Sequence, residues 1–233
     1  MIEAIVVGGI DLGETDRLIR LLSPDLGRWA VVARGARASR RRFPGVVDLG
    51  TQIRLEARKG RGDLPVVQVA ECVTGPIRAR DDYDRLLLLA WGAELASALA
   101  PEHQPAPKLF GLLQAWLSLL EGDSFPPAAR TSFECKALVF GGLGPVLDRC
   151  ARCGCVLTDA VSFNREAGGA VHLACARGEP VPISELRDLL SDVWAPMRDA
   201  KAALSDPWMV AGFAEHHLGR QLRSLSMLRG LRT

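Results

Sequence analysis

The sequence predicts an α+β protein with a small five-stranded barrel at its N-terminus and a helical region after it. Residues 1–78 consist of short segments rich in β-branched residues, separated by glycine-containing turns. Residues 79–233 show the longer apolar periodicity of helices. Paired Cys and His residues fall within about residues 145–178. We therefore expect two domains, 1–78 and 79–233, with a small metal-binding module embedded in the second.

Charge is distributed unevenly between these two regions. The chain has a net charge of only +2, but residues 1–80 hold 14 Lys and Arg against 9 Asp and Glu. Residues 81–233 hold 15 basic against 18 acidic residues. A basic excess confined to one domain is typical of a nucleic-acid-binding surface.

Five segments have the composition of β-strands and end at turn-forming residues. They are Ile2–Ile10, Arg17–Leu22, Arg28–Arg34, Thr51–Arg58 and Pro65–Val73. In the fourth segment Ile53, Leu55 and Ala57 alternate with a period of two residues and share one face. The oligonucleotide-binding (OB) barrel is the five-stranded architecture that usually binds nucleic acid. A small barrel without a ligand is the alternative, because fold does not fix function.

Two basic loops follow strands of the predicted barrel. The first extends the third strand into a glycine-, alanine- and serine-bearing loop, and the second is the glycine-rich turn from Lys59 to Asp63. Arginine side chains on such loops can bind phosphate groups. The candidate DNA-binding residues are Arg28, Arg34, Arg37, Arg40, Arg41, Arg42, Arg58, Lys59 and Arg61. The alternative is a solvated loop whose charge only aids solubility.

Aromatic residues are scarce in this region. Residues 1–80 contain only Trp29 and Phe43, whereas single-strand binders of this fold usually stack bases on aromatic rings. We therefore expect binding that depends mainly on contacts between arginine and phosphate, is sensitive to salt and shows little sequence preference.

Helical periodicity begins after Gly75 and Pro76, which end the predicted barrel. The predicted helices are 82–100, 108–121, 128–140, 183–190, 193–204 and 207–228. We interpret Trp91, Trp116, Phe133 and Phe140 as core residues of this region. Cys72 and Cys135 have no neighbouring ligands and are expected to be small buried apolar residues.

Two residue pairs have the spacing of a structural zinc site. Cys150 and Cys153 form one C-x2-C pair, and His172 and Cys175 form a second pair at the same spacing. Two such pairs can close a tetrahedral Cys3His site for one zinc ion, with a short hairpin between them. Cys155 is a rival ligand, and a set of free cysteines in a helical domain is the alternative.

Bulk properties favour a cytosolic protein. No apolar run is long enough to span a bilayer, so we expect no membrane interaction. The N-terminus has Glu3 and lacks the basic region of a signal peptide.

In their order along the chain, several motifs resemble the RecO family of recombination mediators. They include Glu14-Thr15-Asp16-Arg17 before an apolar strand, the Gly27 turn and the segment RGARASRRRFPG at positions 34–45. The Gly-x-x-Pro stretch ahead of Cys150 and the segment LGRQLRSLSML near the C-terminus continue the series. The resemblance covers essentially the full length.

This resemblance implies an OB barrel, a helical domain and an embedded zinc module. Family members act in recombinational repair with RecR, displace single-strand-binding protein so that RecA can load, and anneal complementary strands. By the same resemblance, the arginines of positions 34–42 fall on the family's DNA-contacting loop. Cys150, Cys153 and Cys175 match its four-cysteine pattern, and His172 stands where a cysteine is common. We expect a bacterial, nucleoid-associated protein that binds single- and double-stranded DNA.

Our leading hypothesis is a DNA-binding mediator without enzymatic activity. A metal-dependent enzyme acting on nucleic acid is a second hypothesis, and it would need an open metal position and a carboxylate base, which the motifs lack. A zinc-stabilised scaffold for protein interactions is a third.

Overall fold

The structure is a computed structural model that describes residues 1–38, 43, 45–60, 62–158, 161–178 and 180–230. Its first elements are five strands, and each lies within two residues of its predicted bounds. They are β1 (Ile2–Leu12), β2 (Asp16–Ser23), β3 (Gly27–Ala33), β4 (Gln52–Lys59) and β5 (Pro65–Thr74).

These strands close into a barrel in the order β1-β2-β3-β5-β4. Neighbouring strands are antiparallel except β3 and β5, which are joined in parallel through the pair Val32 and Val66. Alternate residues point inward, so that Leu21, Val31 and Leu55 meet in one buried cluster. The predicted five-stranded OB barrel is confirmed.

The turn between β2 and β3 requires glycine at position 27. Gly27 has a φ of 58°, and a Cβ atom there would overlap the carbonyl oxygens of Pro101 and Gln104. An L-residue would therefore be strained and would also push away the neighbouring segment. That segment is hydrogen-bonded to β3, because the backbone N–H of Arg28 donates to the Pro101 oxygen at 2.8 Å.

Three helices follow the barrel, and their bounds are α1 (Arg78–Asp81), α2 (Tyr83–Leu99) and α3 (Pro107–Leu120). Trp91 and Trp116 are fully buried, as predicted. The indole N–H of Trp116 donates to the carbonyl oxygen of Leu88 at 3.1 Å, which packs α3 closely against α2. A Cβ atom at Gly92 would overlap the Trp116 ring, so this close packing depends on glycine.

Glu121, just after α3, caps the short helix α1. Its carboxylate accepts backbone hydrogen bonds from Ile77 at 3.1 Å and from Arg78 and Ala79 at 3.0 Å each. Burial alone would raise the pKa of Glu121, but the N–H groups of Ala79, Arg78 and Ile77 outweigh it and lower the pKa below 4.5. The carboxylate therefore ties the chain leaving β5 to the end of α3.

The remaining elements include four helices and a hairpin. They are α4 (Ala129–Phe140), β6 (Val161–Asn164), β7 (Gly169–His172), α5 (Ile183–Trp194), α6 (Met209–Leu218) and α7 (Arg223–Arg229). Phe133 is fully buried, as predicted, while Phe140 is half-buried. The predicted hairpin between the two Cys and His pairs is present as β6 and β7.

Two predicted helices differ from the structure. The helix expected at 193–204 is absent, because α5 includes its first two residues and a short 3-10 turn at Met197–Asp199 follows. The carboxylate of Asp192 accepts N–H bonds from Lys201 and Ala202, which holds that segment outside a helix. The helix expected at 207–228 is two helices, α6 and α7, because Gly219 has a φ of 64° and ends α6.

The chain divides into two compact units, Met1–Gly122 with Ser226–Thr233, and Asp123–Leu225. The first unit groups the barrel with α1 to α3, and the second contains α4, the hairpin, α5 and α6. The domain boundary expected at residue 78 stays a prediction. Within the residue ranges given above, no helix combines the length and apolar character needed to cross a membrane.

Candidate nucleic-acid interface and metal centre

The loop after β3 is fastened to the turn between β1 and β2. The backbone N–H of Arg37 donates to the Thr15 carbonyl at 3.0 Å. Its guanidinium donates to the Gly13 carbonyl at 2.5 Å and lies 3.3 Å from the Asp11 carboxylate. Arg37 is exposed as expected, but its charge is partly neutralised and its contacts anchor the loop.

Arg34 and Arg58 lie at the same end of the barrel, where β3 and β4 end. Val32 pairs with Val66, which pairs in turn with Arg58, so these residues form one row across three strands. Neighbouring strands lie about 4.8 Å apart and side chains alternate between faces, which directs Arg58 outward with Val32. Arg34 is the first residue after β3 and lies two residues beyond Val32.

These cations are available for a ligand. Arg34, Arg58 and Lys59 are exposed. Within the part of the chain that the structure describes, none of the three makes an ion pair.

Arg20 is a further exposed cation on the outside of the barrel, and it escaped the sequence analysis. It is exposed on β2, where it pairs with Gly8 of β1 and Ala30 of β3. Its Nε atom lies 3.6 Å from the position that a Cβ atom at Gly8 would take, so the side chain crosses the bare backbone of β1. Arg20 stands between the buried residues Ile19 and Leu21, and this period-two alternation could have revealed it.

Arg28 lies at the opposite end of β3. Six residues separate it from Arg34, which corresponds to about 20 Å along a strand. Its guanidinium is 3.4 Å from the Glu102 carboxylate. The structure therefore does not bring Arg28 together with Arg34 and Arg58.

Four of the expected DNA-binding residues, Arg40, Arg41, Arg42 and Arg61, lie outside the described residues. Both aromatic residues of the barrel region, Trp29 and Phe43, are buried in its core. Neither ring is therefore presented for base stacking.

Cys150, Cys153, His172 and Cys175 converge at one place, as their spacing predicts. Their candidate ligand atoms all lie within 4.8 Å of one another. The Nδ1 atom of His172 is 3.5 Å from the Cys153 sulfur and 3.9 Å from the Cys175 sulfur. Tetrahedral zinc with bonds of about 2.3 Å to sulfur and about 2.05 Å to nitrogen separates these atoms by about 3.6 Å. The donor set and its geometry therefore fit a structural zinc ion.

Backbone hydrogen bonds shape the first ligand pair into a tight turn. The N–H of Gly154 donates to the Cys150 carbonyl, and the N–H of Cys150 donates to the Cys155 carbonyl, both at 2.9 Å. Gly154 has a φ of 75°, a conformation that glycine adopts without strain. The second pair is closed in the same way, because the Cys175 N–H donates to the His172 carbonyl at 2.8 Å.

The thiols of this cluster have unequal acidities. Burial opposes ionisation of Cys150, but N–H groups of Cys153, His172 and Arg152 outweigh it and lower the pKa of this thiol to about 6. A hydrogen bond with Cys153, loss of water and the neighbouring Cys150 raise the pKa of Cys175 to about 11. Three thiolates packed together repel one another, so full ionisation of the set calls for a bound cation.

The other cysteines lie apart from this group of four. The Cys155 thiol is directed at the Cys153 carbonyl oxygen, 3.8 Å away, and its sulfur is not part of the converging set. Cys135 is buried as predicted, and burial raises the pKa of its thiol to about 12. The expected burial of Cys72 is wrong, because this residue is exposed on β5. Within the described residues, β5 is paired to β3 only at Val66, so its later part is open on that side.

Comparison with known proteins assigns both halves of the chain. The family model described as recombination protein O N terminal matches residues 1–76, and the one described as recombination protein O C terminal matches residues 80–226. A DNA repair protein RecO from Anaeromyxobacter sp. (strain K) is 38% identical over 96% of this chain and 93% of its own. Its counterpart from Frankia casuarinae is 35% identical over 97% and 96%. The one from Myxococcus xanthus is 31% identical over 97% and 95%. The chain belongs to the recombination protein O (RecO) family of DNA repair proteins.

Proposed function

We propose that this chain is a DNA-binding mediator of recombinational repair that holds phosphate backbones on its barrel and anneals complementary strands. The observation that carries the proposal is the set of exposed cations Arg20, Arg34 and Arg58 on the outside of the barrel, which is defined here as the basic face. Its side chains are exposed and project from rigid strands or directly beside them. Such a surface suits the uniform negative charge of phosphate groups and no particular base sequence.

Annealing follows from charge neutralisation. Two complementary strands repel each other through their phosphates, and a shared basic surface lowers that repulsion while it raises the local strand concentration. No bond is made or broken, so the proposed activity is not enzymatic. The loop residues Arg40, Arg41 and Arg42 would add to this surface, as the resemblance to the family implies.

The metal centre has a structural role in this proposal. Cys150, Cys153, His172 and Cys175 would hold one zinc ion, which supplies rigidity to the surrounding hairpin. Four protein ligands complete a tetrahedral shell and leave no open position for a reacting water. This closed shell disfavours the alternative of a metal-dependent enzyme acting on nucleic acid.

The resemblance to the family also supports a proposal about the proteins with which the chain works. We propose that the chain works with RecR to help load RecA onto single-stranded DNA covered by single-strand-binding protein. This activity would take place in the bacterial cytoplasm, at the nucleoid. A scaffold that binds only proteins is the remaining alternative.

An annealing assay tests this function. Purified protein is mixed with two complementary oligonucleotides, with and without single-strand-binding protein, and duplex formation is followed by energy transfer between end labels. We expect faster annealing with the wild type, and a large loss of this effect in the triple variant Arg40→Ala, Arg41→Ala, Arg42→Ala. A chain that binds neither strand at low salt is a protein scaffold, and the proposal is then wrong.

A further inference from the structure

Asp11, near the end of β1, is a carboxylate in direct contact with an arginine of the loop after β3. Its Oδ2 atom lies 3.3 Å from the Nε atom of Arg37. The Asp11 side chain is 54% exposed and the Arg37 side chain 40%. The ion pair is therefore open to solvent and to any anion that approaches the loop.

The strand register places a different arginine opposite Asp11. Arg17 of β2 is its partner in the antiparallel ladder. The Arg17 side chain, however, lies over Gly9, where its Nε atom is 3.2 Å from the position that a Cβ atom would take. Within the part of the chain that the structure describes, Asp11 makes its ion pair with Arg37 and with no other cation.

The loop stays attached to the β1–β2 turn without the charge of Asp11. The Asp16 carboxylate accepts the backbone N–H of Gly35 at 2.9 Å. The Thr15 carbonyl accepts the backbone N–H of Arg37 at 3.0 Å. Because these bonds do not involve Asp11, an exchange of its carboxylate for a neutral group leaves the loop in place.

The Arg37 guanidinium keeps donors for a further anion. It carries five N–H groups, and within the described residues one of its hydrogen bonds is recorded, to the Gly13 carbonyl at 2.5 Å. Guanidinium groups bind phosphate oxygens through such N–H groups, often two at a time. A phosphate at this position would meet the Asp11 carboxylate beside the same cation, and the two negative charges repel each other.

We propose that Asp11 sets the DNA affinity of the barrel: its carboxylate competes with phosphate for Arg37 and so weakens the hold of the loop on DNA. Asp11 touches no nucleotide in this proposal and acts through Arg37. The restraint suits annealing, because a surface that binds strands too tightly would also retain the finished duplex. The inference rests on the proposed function of the chain as a DNA-binding protein.

The variant Asp11→Asn tests the competition. The amide has the size of the carboxylate and can still accept a hydrogen bond, but it carries no charge. Binding to a labelled duplex is measured by fluorescence anisotropy at several salt concentrations. We expect binding at low salt to become about two- to five-fold tighter, the range for the loss of an exposed ion pair. The slope of log affinity against log salt should steepen by up to about 0.9, since Arg37 becomes available for a full phosphate contact.

Two controls separate competition from a general change in charge. Glu14→Gln removes a second exposed carboxylate from the same turn, and within the described residues Glu14 makes no ion pair. This variant should change affinity and slope clearly less than Asp11→Asn does. In a background of Arg37→Ala, the further exchange Asp11→Asn should leave the affinity nearly unchanged. Asp11→Ser should reproduce the gain of Asp11→Asn, and circular dichroism should show that each variant is folded.

The sign of the effect decides the inference. If Asp11 only fastened the loop, Asp11→Asn would bind DNA as the wild type does or more weakly, and either result overturns the inference while the proposed function stands. An equal gain in Glu14→Gln, or a gain that persists in the Arg37→Ala background, also overturns it, because the effect would then not pass through Arg37. If the wild type binds no duplex at low salt, the proposed function fails as well.

Discussion

The Nε2 atom of His172 lies 3.0 Å from the carbonyl oxygen of Val156. A carbonyl oxygen only accepts hydrogen bonds, so Nε2 carries the proton and Nδ1 presents its lone pair to the thiols. Outer hydrogen bonds of this kind orient histidine ligands in metal sites. The geometry therefore favours His172 over Cys155 as the fourth ligand of the candidate metal site.

Metal content distinguishes these two residues. We expect the wild type and Cys155→Ser to retain about one zinc ion per chain after gel filtration, because a tetrahedral site is complete without Cys155. His172→Ala and Cys175→Ser should lose most of the metal, and His172→Cys should keep it. The measurement is elemental analysis of the purified proteins. Loss of zinc from Cys155→Ser with retention in His172→Ala would reverse the assignment.

Glu121 should make stability depend on acidic pH. Its folded pKa is lowered by the N–H groups that it accepts from Ala79, Arg78 and Ile77, despite the opposing effect of burial. The stability that it contributes is therefore fully present above its unfolded pKa of about 4.5 and is lost as pH falls through the folded value.

The variant Glu121→Gln tests this dependence. We expect it to be less stable than the wild type by about 1 kcal/mol at pH 7, the typical value of a helix N-cap. The difference should shrink as pH falls below about 4.5. Urea unfolding at several pH values measures it, and a difference independent of pH would show that the charge of Glu121 has no role.

Gly27 and Gly13 form a matched pair for testing the β2–β3 turn. Both have a positive φ, near 60°, but a Cβ atom has free space at Gly13 and overlaps two carbonyl oxygens at Gly27. The backbone conformation alone costs about 1–2 kcal/mol for a residue other than glycine. Gly27→Ala should therefore be clearly more destabilising than Gly13→Ala in chemical unfolding. Equal losses would mean that the segment at Pro101 moves away without cost.

The five strands could be predicted because their signals are local. The alternation of apolar residues in β4 and the turn at Gly27 can be recognised from residues that are close in the sequence. The spacing of the Cys and His pairs is a local signal of the same kind. The break after α5 could not be predicted, because it depends on where the Asp192 carboxylate finds its N–H partners. The ion pair between Arg37 and Asp11 could not be predicted either, because only the tertiary structure brings these two residues together. Exposure of Cys72 likewise follows from strand pairing, which composition does not reveal.

The most direct test of the account is the salt dependence of DNA binding by the basic face. The logarithm of the affinity for a duplex is measured against the logarithm of salt concentration for three proteins. They are the wild type, the variant Arg20→Ala, Arg34→Ala, Arg58→Ala, and the control Arg28→Ala, whose charge is paired with Glu102. Each lost phosphate contact lowers the slope by about 0.9 on duplex DNA. We expect the slope of the triple variant to correspond to the loss of between two and three phosphate contacts. The slope of the control should correspond to the loss of less than one. An unchanged slope in the triple variant would contradict the proposal that this face holds DNA.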